Sequence, residues 1–187
     1  MNIPWFSLML AGTTAFIIVV IFWPSVIRLL AKLKFGQTIR TEGPQTHHKK
    51  AGTPTMGGVL VLFGITAGTI AGLGGNWSNN LRWTLFITIG YGLLGLLDDL
   101  LNIVFHRSLG LKARHKLLGQ VFLAGLFGLY VVHSGVMGTL IVPYFHTHLA
   151  FINPVLTFLF VVFTMVAMSN AVNLTDGLDG LAGGTTM

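Results

Sequence analysis

Residues 153–184 read NPVLTFLFVVFTMVAMSNAVNLTDGLDGLAGG and join an apolar run to a polar, glycine-rich motif. A helix of about twenty apolar residues is long enough to cross the roughly 30 Å hydrocarbon core of a bilayer. The motif carries four oxygen-bearing side chains at steps of three, which stacks them along one helix face: Asn170, Asn173, Asp176 and Asp179. They could hold a hard cation such as Mg²⁺ or bind hydroxyl and amide groups. A polar helix end followed by a glycine turn is the plainer alternative.

The composition of the whole chain indicates a membrane protein. Hydrophobic residues make up 53% of the 187 residues and charged residues only 9%, whereas a soluble domain carries about 25% charged residues. The net charge of +6 does not indicate a nucleic-acid partner, because the basic residues border apolar spans. The absence of cysteine excludes disulfides and thiolate chemistry. We therefore predict an all-α, polytopic membrane protein that binds no nucleic acid.

Uncharged stretches between polar loops predict a bundle of about five transmembrane helices in a single integral membrane domain, residues 1–187. Residues 1–27 lack a charged n-region and an Ala-x-Ala site, so the first stretch is a membrane helix rather than a signal peptide. Residues 134–152 form either a short hairpin or an interfacial piece. The predicted helices cover residues 4–30, 56–74, 82–100, 117–133 and 153–172, and the predicted cytoplasmic loops cover residues 31–55 and 101–116.

The distribution of charge predicts how the helices are oriented in the membrane. Alternating crossings place residues 28–50, 98–116 and 170–180 on one side. That side holds ten of the 11 Lys and Arg residues, with only Arg82 opposite, and all five acidic residues. The positive-inside rule makes it the cytoplasmic side and puts the amino terminus outside.

The adjacent acids Asp98 and Asp99 form the second candidate motif. Fifteen uncharged residues separate Arg82 from Asp98, and their rise of roughly 22 Å places the pair at or slightly inside the membrane boundary. Neighbouring helical residues point about 100° apart, and exposing both acids to lipid would be costly in free energy. The functional interpretation is a metal or general-base pair facing a cytoplasmic cleft, and the alternative is a solvated helix end.

Two basic segments on the same side complete the set of candidate motifs. Lys49 and Lys50 could bind phosphate or anchor a helix at lipid headgroups. Lys112 and Lys116, four residues apart, share a helix face and could meet an anionic substrate or anionic lipids. Together with the acids, these lysines suggest a Mg²⁺-dependent site that handles phosphates at the membrane surface.

Taken in order, the motifs resemble a known enzyme family. They are Gly-Pro-x-x-His (43–47), Lys50, Gly-Thr-Pro-Thr-Met-Gly-Gly (52–58), Asp98-Asp99, Gly-Leu-x-Ala-Arg-x-Lys (110–116) and Asn-Ala-Val-Asn-Leu-Thr-Asp-Gly-Leu-Asp-Gly-Leu-Ala (170–182). The set resembles the phospho-N-acetylmuramoyl-pentapeptide-transferases of the polyprenyl-phosphate N-acetylhexosamine-1-phosphate transferase superfamily. The resemblance implies transfer of phospho-MurNAc-pentapeptide from its UDP carrier to undecaprenyl phosphate. The products would be lipid I and UMP, formed with Mg²⁺ at the bacterial inner membrane during peptidoglycan synthesis.

The resemblance also implies roles for individual residues. The catalytic residues would be Asp98, Asp99 and Asp176, with Asp98 as the base for the lipid phosphate. The residues at the metal would be Asp99, Asn173 and Asp176. The substrate-binding residues would be Lys50, Lys116, Asn170, Asn173 and Asp179.

Two departures from the family pattern qualify this expectation. Asn102 stands where the family usually has Lys, and the chain ends at Met187 after five helices, whereas the family has about ten. We therefore expect the chain to be the amino-terminal half of the fold and to be inactive alone. The resemblance also allows a homodimer. Two other functions stay open: a sister transferase that uses UDP-GlcNAc, and a transporter in which Asp98 and Asp99 coordinate an ion.

Overall fold

The computed structural model describes residues 4–33, 56–74, 77–105, 110–136, 139–142, 147–150 and 153–175. These segments contain five helices: α1 Trp5–Lys32, α2 Gly58–Leu73, α3 Asn79–Phe105, α4 Ala113–Ser134 and α5 Pro154–Thr175. They also contain one antiparallel hairpin, β1 Thr139–Val142 and β2 Thr147–Ala150, in which Thr139 lies opposite Ala150. The predicted helical fold class is confirmed, and the segment left open between α4 and α5 contains a hairpin.

Four of the described helices, α1, α3, α4 and α5, are long and apolar enough to cross a membrane. Helix α2 is equally apolar but has only 16 residues, which rise about 24 Å. Many large hydrophobic side chains on these helices are exposed, as expected where lipid rather than water surrounds them. The chain is a multi-pass membrane protein.

The loop predicted at residues 101–116 is wrong at both ends. Helix α3 continues to Phe105, because no glycine or proline interrupts residues 100–105. Helix α4 begins at Ala113, where the backbone N–H groups of His115 and Lys116 donate to the Lys112 carbonyl at 2.8 and 3.1 Å. The acids Asp98 and Asp99 therefore lie inside α3 rather than at its end.

The chain comprises two compact units, Met1–Lys116 and Leu117–Met187. The single domain predicted from the sequence stays a prediction. In the first unit, α2 packs on α1 along a stripe of buried glycines, Gly64, Gly68 and Gly72. A Cβ atom at Gly72 would lie 2.5 Å from the Ser7 carbonyl oxygen, and one at Gly68 would overlap the Ala11 carbonyl oxygen. Small residues thus let the two backbones approach closely, as is common between membrane helices.

Helix α3 packs on α2. A Cβ atom at Gly92 would overlap the Leu62 side chain of α2, and Ile87 is buried on α3. Helix α3 starts with a cap in which Ser78 Oγ accepts from the Leu81 N–H at 3.3 Å. From Asn79 to Asp98 the helix rises about 29 Å, close to the thickness of the hydrocarbon core. The position of Asp98 at or slightly inside the membrane boundary stays a prediction, with which this length agrees.

In the second unit, α4 presents a buried stripe at helical spacing: Gln120, Ala124, Gly128 and Val131. The Phe158 ring of α5 packs against Gly128, since a Cβ atom at Gly128 would lie 3.0 Å from Phe158 Cδ2. Helix α5 starts at Pro154, and Asn153 Oδ1 caps it by accepting from the Val155 N–H at 2.8 Å. Proline at the first helical position and asparagine before it are both typical of a helix start.

Candidate functional site

A candidate site in the first unit is the Asp98 carboxylate, which bonds to the segment that leads into α4. Asp98 Oδ1 accepts a hydrogen bond from the Leu111 backbone N–H at 2.7 Å. Asp98 Oδ2 forms an ion pair with Lys116 Nζ at 2.8 Å, and the two side chains are 19% and 20% exposed. The structure therefore brings together two motifs that the sequence only placed on the same side of the membrane.

Gly110 makes this arrangement sterically feasible. A Cβ atom at Gly110 would overlap both the backbone oxygen and Oδ1 of Asp98, and would lie 3.1 Å from Asn102 Nδ2. The Asn102 Oδ1 atom is buried and accepts no hydrogen bond within the part of the chain that the structure describes. Asn102 thus lines the same small region as Asp98 and Gly110, next to the segment that carries Lys116.

The start of α4 has a concentration of positive charge. Lys112 precedes the helix, and Arg114, His115 and Lys116 occupy its first turn. Lys112, Arg114 and His115 are exposed, whereas Lys116 is half-buried against Asp98. Helix N-termini and basic side chains both favour anions, so this turn suits a phosphate or the surface of an anionic bilayer.

A separate set of candidate residues lies on α5, in the second unit. Asn170 Nδ2 donates to Gln120 Oε1 and to the Val166 carbonyl, both at 2.8 Å. Both hydrogens of the Asn170 amide group are therefore used inside the helix pair, which leaves only its oxygen for a substrate. Asn173 lies one turn later, in the last turn of α5, and is exposed.

The other predicted site residues can be placed only in part. Asp99 is half-buried on α3, directly after Asp98. Lys50, Asp176 and Asp179 lie outside the described residues. The substrate, metal and catalytic roles of the whole set stay predictions.

The sequence reasoning missed two contributors to this geometry. One is the Leu111 backbone N–H, which no side-chain motif can predict. The other is Gln120, the one amide side chain in residues 117–132 of α4. A strongly polar residue inside a membrane helix is a recognised signal of function, so its sequence position alone could have marked it.

Comparison with known proteins identifies the family. The model of glycosyl transferase family 4 matches residues 81–187, more than half of the chain. The chain belongs to glycosyl transferase family 4. A second, shorter match is the phospho-N-acetylmuramoyl-pentapeptide-transferase signature 1, over residues 50–62. This signature includes Lys50 and all of the glycine-containing motif of residues 52–58.

Curated phospho-N-acetylmuramoyl-pentapeptide-transferases resemble the chain in sequence. A phospho-N-acetylmuramoyl-pentapeptide-transferase of Bacillus pumilus is 46% identical over 172 residues, which cover 91% of this chain and 52% of the relative. The corresponding protein of Desulfitobacterium hafniense is 44% identical over 184 residues, covering 98% and 54%. That of Bacillus licheniformis is 47% identical over 176 residues, covering 91% and 52%. The chain spans about half the length of the curated relatives it matches.

Whether the residues of this chain could bind Mg²⁺ depends on the oxygen ligands that they offer. No group of three or more His, Asp or Glu side chains comes together within the described segments. Mg²⁺ does not require such a group, because it uses one or two carboxylates together with substrate phosphates and water. Asp98 and Asp99 carry carboxylate oxygens, the ligand type that this ion takes.

Proposed function

We propose that the chain contributes to a transferase that moves phospho-MurNAc-pentapeptide from its UDP carrier to undecaprenyl phosphate, forming lipid I and UMP. The observation that carries the proposal is the contact of Asp98 with Lys116 and the Leu111 N–H. This contact joins the carboxylate of Asp98 to the basic segment at the start of α4. Asp98 stands at the end of a stretch of α3 that is long enough to cross a membrane. A base and a phosphate-binding cation are the two groups that a lipid phosphate acceptor needs there. The identities to curated phospho-N-acetylmuramoyl-pentapeptide-transferases support this choice of donor and acceptor.

In the proposed reaction, Asp98 accepts the proton of the undecaprenyl phosphate. Each of its oxygens accepts one hydrogen bond in the structure and keeps a second lone pair for that proton. The deprotonated phosphate oxygen attacks the phosphorus that carries the sugar. The bond from that phosphorus to the bridging oxygen breaks, and UMP leaves with the bond electrons. Lys116 neutralises the lipid phosphate and keeps its oxygen near Asp98.

Mg²⁺ is the proposed cofactor, and when bound it supplies positive charge to the diphosphate. Asp99, Asn173 and Asp176 are its proposed protein ligands, because carboxylate and amide oxygens suit this hard cation. Lys50, Asn170 and Asp179 are proposed for the nucleotide-sugar substrate. For Asn170, the hydrogen bonds to Gln120 and Val166 leave the carbonyl oxygen as the atom available for that role.

The proposed location is the bacterial plasma membrane, with the active site on the cytoplasmic face and the amino terminus outside. Ten of the 11 basic residues lie on the side assigned to the cytoplasm, which the positive-inside rule supports. A water-soluble UDP carrier and a lipid-borne phosphate can meet only at such a boundary. We also propose that the protein forms a homodimer. A measurement of its oligomeric state in detergent tests this.

The test is a chimera in which this chain replaces the matching part of the Bacillus pumilus relative. The chimera is reconstituted with undecaprenyl phosphate and Mg²⁺, and UMP release is measured with UDP-MurNAc-pentapeptide or UDP-GlcNAc. We expect release with the first donor and only background release from the isolated chain. Asp98→Asn should lower the rate on the order of 10²-fold or more, because it removes the base and turns an amide donor toward Lys116.

Gly95→Ala is the matched control for that substitution. It lies on the same helix, and nothing is within 4 Å of the Cβ atom it adds, so its UMP release should equal that of the parent chimera. Full activity of Asp98→Asn would remove Asp98 from the chemistry. Preference for UDP-GlcNAc would support the sister transferase, and ion flux without nucleotide would support a transporter.

A further inference from the structure

A buried amide on α4 stands apart from the apolar packing around it. Gln120 is 2% exposed, although the neighbouring buried residues of its stripe, Ala124 and Val131, are apolar. An amide loses its bonds to water when it is buried, so it is tolerated inside a protein only when it is hydrogen-bonded. The partners of Gln120 therefore matter more than its contribution to packing.

Both ends of the Gln120 amide bond to α5. Gln120 Nε2 donates to Ser169 Oγ at 3.1 Å, and Gln120 Oε1 accepts from Asn170 Nδ2 at 2.8 Å. Ser169 and Asn170 are adjacent on α5 and so point about 100° apart around its axis. One side chain that holds two such neighbours limits both the rotation and the sliding of α5 against α4.

Asn173 follows Asn170 by three residues, close to one helical turn, and is exposed in the last turn of α5. The direction in which Asn173 points therefore depends on the rotation that the Gln120 bonds set. We propose that Gln120 is a positioning residue that fixes the rotation of α5 through Ser169 and Asn170, and thereby orients Asn173. This inference deepens the proposed function, and its catalytic consequence rests on that function.

The competing explanation is that Gln120 only helps the two helices adhere. The same helix pair has an apolar contact, Gly128 against Phe158, which can supply adhesion without a polar group. Polar bonds between membrane helices contribute modestly to stability, whereas buried polar residues are well attested as setting register. The two explanations differ in what they predict for Gln120→Leu and for Gly128→Ala.

The first measurement follows α5 directly and needs no activity. The chain has no cysteine, so single cysteines can be introduced at Leu174, which is 79% exposed, and at Thr175, which is half-buried. Maleimide labelling rates are compared at the two positions in detergent. In the parent chain, Leu174→Cys should react faster than Thr175→Cys. Gln120→Leu should shift the ratio of the two rates by about two-fold or more, because α5 then samples other rotations.

Gly128→Ala serves as the packing control. Its added methyl group lies 3.0 Å from the Phe158 ring, so it should lower the thermal midpoint while the labelling ratio stays near that of the parent. A second matched pair addresses the hydrogen bond itself. Ser169→Ala removes the acceptor of Gln120 Nε2 and should shift the ratio, whereas Ser169→Thr keeps a hydroxyl and should restore it.

The second measurement is UMP release by the Bacillus pumilus chimera carrying the same variants. Gln120→Leu should lower kcat about ten-fold or more with little change in KM for the nucleotide sugar, since small misplacements of a positioned group reduce turnover strongly. Ser169→Ala should lower kcat less, and Ser169→Thr and Gly128→Ala should stay near the parent value.

A Gln120→Leu chain with a lower thermal midpoint but an unchanged labelling ratio and unchanged kcat would overturn the inference, because adhesion would then be its only role. If the parent chimera releases no UMP, the proposed function fails. In that case the labelling ratios alone decide whether Gln120 orients α5: a shifted ratio supports it, and an unchanged ratio refutes it.

Discussion

At the scale of single residues, the Asp98 carboxylate depends on a glycine twelve residues away. The Leu111 N–H reaches Asp98 Oδ1 at 2.7 Å only because Gly110 has no side chain to separate the two backbones. The Lys116 ammonium then reaches the second oxygen at 2.8 Å. The position of the acid is thus determined by a backbone approach as much as by charge.

Gly110→Ala should destabilise the first unit and weaken the bond between Leu111 and Asp98. The added Cβ atom would overlap Asp98 O and Oδ1, and such overpacking typically costs about 1–3 kcal/mol. The measurement is thermal unfolding in detergent, followed by circular dichroism. Gly95→Ala, with open space around its Cβ atom, is the control and should unfold at or above the parent midpoint. Equal midpoints for the two variants would contradict the close approach at Gly110.

At the scale of helices, α1 and α2 associate through backbone contact rather than through large side chains. The glycines of α2 recur every four residues, so they form one smooth strip that meets Ser7, Ala11 and Ala15 of α1. Between membrane helices, close approach increases van der Waals contact, which replaces the hydrophobic drive available in water. A helix of only 16 residues is thereby held along most of its length.

Gly68→Ala should separate α1 from α2 and lower stability by about 1–3 kcal/mol. Its Cβ atom would overlap the Ala11 carbonyl oxygen and lie 2.9 Å from Ala15 Cβ, and neither neighbour is a flexible side chain. Unfolding in a titration of denaturing detergent measures the change. Gly12→Ala on α1 has nothing within 4 Å and should leave the midpoint unchanged. A tolerated Gly68→Ala would mean that the helices do not pack through this strip.

At the scale of the whole molecule, the sequence predicted the helices better than it predicted their ends and contacts. A membrane helix satisfies its own backbone, so a long apolar run is sufficient to predict it. The extension of α3 to Phe105 was missed, because charged Asp98 and Asp99 end the apolar run without ending the helix. The pairing of Asp98 with Lys116 could not be read from spacing, since it depends on the path of the backbone between α3 and α4.

The sequence analysis did not predict the glycine strip of α2, and the spacing of the strip alone would not identify its partner, because any small-residue face would fit it. Gln120 is a polar residue in an apolar helix that the sequence reasoning missed, and Ser169 and Asn170 are its partners only through the packing of α4 on α5. The orientation in the membrane rests on the charge map alone, and it requires the short helix α2 to cross completely.

Single cysteines in the first unit test that requirement, because the chain has none of its own. Lys32→Cys, Asn80→Cys and Arg114→Cys replace exposed residues in the terminal turns of α1, α3 and α4. In intact cells, a membrane-impermeant maleimide should label only Asn80→Cys, and permeabilisation should add the other two. The reason is that α2 and α3 each cross once, which returns α4 to the side of Lys32. If α2 enters and leaves on one side, Asn80→Cys and Lys32→Cys will share a labelling pattern, and Arg114→Cys will show the opposite one.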